Sequence, residues 1–121
     1  VVLEVHDNRY TRLYGGKSVV RSEVLDIEAN NKNATIIADL TKADIIADET
    51  YDCIIMTQTL QFIYDINAAV YHSQRILKNG GVLLVTLPCV SRIDCVAGVD
   101  GDFWRFTKAS AERVFENYFG K

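Results

Sequence analysis

The stretch Arg75-Ile76-Leu77-Lys78-Asn79-Gly80-Gly81-Val82-Leu83-Leu84 decides the fold. Its first residues close a segment in which Ile66, Ala69, Val70, Ile76 and Leu77 recur at roughly helical spacing. Asp65 precedes that segment as an N-cap, and Lys78 suits the negative end of the helix dipole. A helix is therefore predicted over residues 65–78, stopped by Asn79-Gly80-Gly81 through a left-handed C-cap. From Gly81 to Leu87 the chain is a near-continuous apolar strand, and residues 51–57 form a similar run before the helix. Strand, helix and strand in that order make a right-handed crossover between parallel neighbours.

Working outward, further strands are predicted at residues 1–5, at 18–25 after Gly15-Gly16, and at 34–38 after Asn30-Asn31-Lys32-Asn33. All but the second are apolar without alternation, the pattern of strands buried on both faces of a parallel sheet. A second helix begins at Thr107 and carries Ala111, Val114, Phe115 and Phe119 on one side. A weaker element covers residues 8–13. The expected architecture is α/β, an open and mainly parallel sheet flanked by helices. Several strands end on a polar residue, such as Asp39 or Thr57, at the carboxyl ends where such sheets bind ligands.

The 121 residues suit a single domain, 1–121, and 49% apolar with 24% charged residues is globular composition. A net charge of −3 gives no electrostatic support to nucleic acid or an anionic membrane surface, so a small-molecule substrate is the expected partner. No run approaches the roughly 20 apolar residues of a membrane span. The apolar start at Val1 has neither the basic lead nor the cleavage site of a secretory signal. It also lacks an initiator Met, so the chain reads as part of a longer protein. Cys53, Cys89 and Cys95 are odd in number and follow no metal-ligand spacing, which points to a reducing, cytoplasmic setting and no metal site.

Candidate site residues lie after the strands. Glu4, Glu23 and Asp39 are acids at strand ends; an acid beyond a second strand accepts hydrogen bonds from ribose hydroxyls in dinucleotide folds. From periodicity alone the same acids read first as carboxylates at strand edges that simply face water. After the first strand, Glu4-Val5-His6-Asp7-Asn8 has no glycine for a tight ligand-binding turn, but Asp7-Asn8 tolerates left-handed backbone. His6 is read first as a solvated or hydrogen-bonded loop residue, then as a base or ligand contact. Thr57-Gln58-Thr59-Leu60-Gln61 either lines a crevice or caps a turn. Asp102-Phe103-Trp104-Arg105-Phe106-Thr107 forms either an aromatic platform or lid, or a buried hydrophobic staple.

These residues, taken in order, resemble the class I S-adenosylmethionine-dependent methyltransferases. Val2-Leu3-Glu4-Val5, Ala34-Thr35-Ile36-Ile37-Ala38-Asp39-Leu40 and Tyr51-Asp52-Cys53-Ile54-Ile55-Met56-Thr57 match successive motifs of that family. Leu77-Lys78-Asn79-Gly80-Gly81 is similar to its Leu-Lys-Pro-Gly-Gly signature, with Asn79 in place of Pro, and Trp104-Arg105-Phe106-Thr107 resembles a segment found in a subgroup. The resemblance implies a Rossmann-like sheet binding S-adenosylmethionine at the carboxyl ends of its first strands. It assigns Glu4 to the acid opening the first cofactor motif and Glu23 to the acid holding the ribose hydroxyls. Asp39 and Leu40 correspond to the pair flanking the adenine, and Thr57, Gln58 and Thr59 to the crevice lining. His6 and Asp7 sit in the loop beside the methionine part.

The chain also departs from that family. His6 and Asn8 stand where both motif glycines belong, and the family's C-terminal antiparallel hairpin is missing, so the domain reads as truncated. Two functions follow as expectations. One is methyl transfer to a small-molecule acceptor, with no assignable general base beyond the nearby His6 and Asp7. The other is a non-catalytic remnant of the fold that self-associates or binds a partner, burying Phe115 and Phe119 as a homo-oligomer. In the competing arrangement Phe103, Trp104 and Phe106 fold back over the sheet edge of a monomer. A dinucleotide-binding domain ranks third, since G-x-G-x-x-G is absent.

Overall fold

The computed structural model of the chain describes residues 1–94 and 101–120; Cys95 and Lys121 lie outside them. The elements run β1 (Val2–Val5), α1 (Arg9–Tyr14), β2 (Ser22–Asp26), β3 (Ile36–Ile37), β4 (Tyr51–Thr57), α2 (Ile66–Ile76), β5 (Leu77–Thr86) and α3 (Lys108–Phe119). The strands form one open sheet in the order β3-β2-β1-β4-β5, and every pairing among the described residues is parallel. The predicted crossover is present: β4 and β5 are parallel neighbours joined through α2. Asp65 caps α2 by accepting from the Ala68 N–H at 3.0 Å. Thr107 caps α3 in a reciprocal capping box with Ser110.

Adjacent residues of a strand point to opposite faces, and β1 shows what that achieves. Leu3 is buried in an apolar cluster with Leu25, Ile54, Met56, Ala69, Val70 and Ile76, which joins the sheet to α2. Glu4, its neighbour, turns to the other face and meets α1. Arg75 ties α2 to the loop before β4, donating to the Ala43 and Ile46 carbonyls at 2.7 and 2.8 Å and to Asp48. No helix among the described residues is long and apolar enough to cross a membrane.

Boundaries differ from expectation in three places. Residues 16–18 form a 3-10 turn, so β2 starts only at Ser22; Val20 beyond that turn is 91% exposed and joins no core. The third strand shrinks to Ile36–Ile37. The helix before the glycine pair ends at Ile76, because Leu77 is already extended and pairs with Tyr51. Register then jumps from Tyr51↔Leu77 to Cys53↔Val82, so Lys78 to Gly81 form an irregularity in β5, not a helix cap. Lys78 accordingly lies 3.3 Å from Asp52 and leaves the helix end alone.

The two glycines of this bulge have separate reasons. Gly80 has φ +80 in open space, whereas a Cβ on Gly81 would stand 2.9 Å from the Lys78 carbonyl oxygen and 3.2 Å from that of Asp52. Those two obstacles are backbone; a third, the Leu77 Cδ2 at 3.0 Å, is a side-chain atom. Gly81→Ala is expected to destabilise by about 2 kcal/mol, and Gly80→Ala by about 1 kcal/mol through its left-handed backbone. Urea denaturation of the two variants measures this order; equal midpoints for wild type and Gly81→Ala would contradict it.

Candidate functional site

The carboxyl ends of β1, β2, β3 and β4 open into one cleft of about 950 Å³. Of the expected residues, His6, Asp7, Asp39, Leu40, Thr57, Gln58 and Thr59 line it. Glu4 and Glu23 do not. Glu4 is 1% exposed and accepts from the Tyr10 N–H at 3.1 Å, the Thr11 N–H at 2.9 Å and the Thr11 hydroxyl at 2.7 Å. It anchors the first loop from beneath. Glu23 stands near the start of β2, beside Leu3, where it accepts from the Tyr51 hydroxyl and lies 3.4 Å from Arg21. Burial, and then this carboxylate, push the Tyr51 hydroxyl well above its ordinary range. Glu23 thus sits away from this cleft, near the start of β2 and not at its carboxyl end.

The acid that does end β2 at the cleft is Asp26, which the sequence reading passed over. The rule that picked Asp39, a polar residue closing an apolar run, also picks Asp26 after Val24-Leu25. Asn31 donates to its Oδ2 at 2.6 Å, His6 Nδ1 lies 3.2 Å from the same oxygen, and the Glu28 N–H donates to Oδ1 at 3.1 Å. Burial alone would push this carboxyl up; those hydrogen bonds outweigh it and hold it below the usual carboxylate range.

His6 has φ +78, a left-handed backbone that favours glycine. The loop therefore keeps a glycine-type path with an imidazole mounted on it, its carbonyl held by Asn31 at 2.7 Å and its N–H by Leu25 at 2.8 Å. Asp7 accepts from the Arg9 N–H. Asp39 caps the 3-10 turn Leu40–Lys42, accepting from the N–H and hydroxyl of Thr41. At the end of β4, Gln58 has φ +49, and its N–H donates to the Thr86 carbonyl at 3.1 Å, fixing the turn beside β5.

The cleft's charge is lopsided: Asp7, Asp26, Glu28, Asp39, Asp65 and Asp94 face Arg9 and Lys42. No group of three or more metal-ligating side chains occurs among the described residues. The aromatic segment divides. Phe106 is buried and its N–H donates to the Pro88 carbonyl, while Phe103 and Trp104 stay partly exposed and gather about Tyr64 at the cleft. They do not fold back over the β5 edge.

Residues 16–85, more than half of the chain, match the family described as the methyltransferase domain. The chain belongs to that family. Its fold is that of the class I S-adenosylmethionine-dependent enzymes. The methyltransferase domain superposes with a TM-score of 0.77, at 16% identity, on a protein described as a methyltransferase in complex with the Haloferax volcanii Trm112 activator, covering 97% of this chain and 59% of that one. A Galdieria sulphuraria protein described as a sarcosine dimethylglycine methyltransferase gives 0.70 at 14% identity, with 96% and 52% covered. A Sulfolobus solfataricus type 11 methyltransferase gives 0.59 at 16% identity, with 96% and 72% covered. The chain thus spans between about half and three fifths of the first two. Comparison with curated protein sequences finds no match. The family match starts at Gly16 and leaves out β1 and the loop bearing His6.

Proposed function

We propose that the cleft binds S-adenosylmethionine and that the methyltransferase domain passes its methyl group to a small-molecule acceptor in the cytoplasm. The observation that carries this is the excess of carboxylates at the carboxyl ends of parallel strands. Carboxylates accept from hydroxyls and attract a sulfonium or ammonium cation, and they repel the phosphates of a dinucleotide. Members of this family in general bind S-adenosylmethionine. When bound, that cofactor supplies a methyl group already activated on a positive sulfur.

The chain's own residues have the chemistry to receive it. Asp26 offers a charged acceptor for ribose hydroxyls, and Asp39 with Leu40 offers a polar and an apolar flank for the adenine. Thr57, Gln58 and Thr59 close the far side, and His6 with Asp7 borders the methionine part. A cleft near 950 Å³ suits a cofactor with a small acceptor. The free thiols of Cys53 and Cys89 suit a reducing compartment. S-adenosylhomocysteine should raise the unfolding midpoint in a concentration-dependent way, while ATP and NAD leave it unchanged. Stabilisation by NAD instead would replace this reading with a dinucleotide site.

A second reading, self-association or partner binding, is favoured by the free edge of β5. Val82 and Leu84 are about half exposed on one side of it, and Leu83, Val85, Phe115 and Phe119 line a groove of about 520 Å³ on the other. No charged residue guards the edge between Gly80 and Ser91. Light scattering across a concentration series is expected to show mass rising above 13.6 kDa. A constant 13.6 kDa removes self-association.

A further inference from the structure

We infer that the acceptor end of the cleft takes a small organic cation, an ammonium or quaternary ammonium compound whose charged group rests on the ring of Tyr64 and whose methyl-accepting atom is a separate group with a free lone pair. The inference deepens the proposed methyltransferase reading and rests on it for the word acceptor. Tyr64 lines the cleft and is 62% exposed. It is nevertheless fixed. Trp104 stacks on it with centroids 5.5 Å apart and planes 12° from parallel, and Phe103 packs at 5.2 Å. The Trp104 indole N–H donates to the Ile63 carbonyl at 3.0 Å, and the Phe103 N–H to the Gln61 carbonyl at 2.7 Å. Two aromatic residues from a distant segment thus brace a ring that itself stays open to the cleft.

Two carboxylates line the cleft with that ring, Asp65 next to it in sequence and Asp94 from the segment after β5. Asp94 is held in place through its N–H, which donates to Asp102 at 2.8 Å, and Asp102 is gripped by Arg105 at 2.6 and 3.0 Å. A π face is negative at its centre and carboxylates are negative outright, so a cation gains from both. An anionic acceptor would be repelled by the same groups, and a neutral one gains no charge attraction. The Arg9 guanidinium sits over the Tyr10 ring at 5.9 Å, so the cleft already holds one cation on an aromatic face.

The test is calorimetric titration of the chain with three probes of one shape: choline, its neutral carbon isostere 3,3-dimethyl-1-butanol, and anionic 3,3-dimethylbutanoate. Each is titrated with and without saturating S-adenosylhomocysteine. Choline is expected to bind about tenfold more tightly than the alcohol, with the carboxylate weakest. Tyr64→Leu should reduce the preference severalfold, leaving the share due to Asp65 and Asp94, and Tyr64→Phe should keep it. Equal binding of choline and the alcohol, or a preference untouched by Tyr64→Leu, overturns the inference. Failure of S-adenosylhomocysteine to bind sinks the parent reading separately, since the probe order is measured in its absence as well.

Discussion

Glu4→Ala is expected to destabilise the domain by about 3 kcal/mol, the largest effect of any single substitution outside the apolar cluster. The carboxylate is buried and satisfies three donors, the N–H groups of Tyr10 and Thr11 and the Thr11 hydroxyl. Removing it leaves a cavity and orphans those donors beneath the loop that carries His6 and Asp7. At roughly 4 °C per kcal/mol for a chain of this size, the unfolding midpoint should fall by about 12 °C. Glu4→Gln keeps the shape and one acceptor oxygen, so it should lose less. Thermal melts followed by circular dichroism measure both. If Glu4→Ala melts with wild type, the carboxylate is not the anchor described.

Asp26→Asn is expected to weaken S-adenosylhomocysteine binding about tenfold or more, the loss of charge-assisted hydrogen bonds being about 1.5–3 kcal/mol. Asp39→Ala should weaken it in the same direction, with an added stability loss of about 1 kcal/mol from the vacated cap at Thr41. Glu23→Gln, by contrast, should leave affinity unchanged, because Glu23 sits at the other end of β2 against Tyr51. His6→Gly should tighten binding: the loop already follows a glycine-type path at φ +78, and the imidazole projects into the cleft. Equilibrium binding of the four variants gives the order. Weakening by Glu23→Gln with no effect of Asp26→Asn would reverse the assignment.

The contrast between Glu23 and Asp26 shows how far the sequence could be read. Apolar periodicity found β4, α2 and their crossover, because each is a long run with one period and a cap of known chemistry. It failed at β2, where the apolar pair Val19-Val20 extends the run although Val20 faces water. The strand begins four residues later than that run, at Ser22, and the acid that ends it at the cleft is Asp26. Glu4 was visible as an acid, yet period-two alternation beside buried Leu3 already sends it to the opposite face. The glycine pair was read as a helix cap since local sequence carries no record of pairing register; only the partner strand reveals the slip at Asp52. The left-handed backbone of His6 has no signal in the residue itself, only in the glycine that relatives of its motif place there.

The central claim is that a cleft rimmed by Asp26, Asp39 and Thr57 receives S-adenosylmethionine despite the imidazole of His6. Isothermal titration calorimetry of the chain with S-adenosylmethionine tests it most directly. The account predicts saturable heat at one site per chain, weakened by Asp26→Asn and retained in His6→Gly. No heat of binding for wild type and His6→Gly alike, on protein shown to be folded, would contradict it.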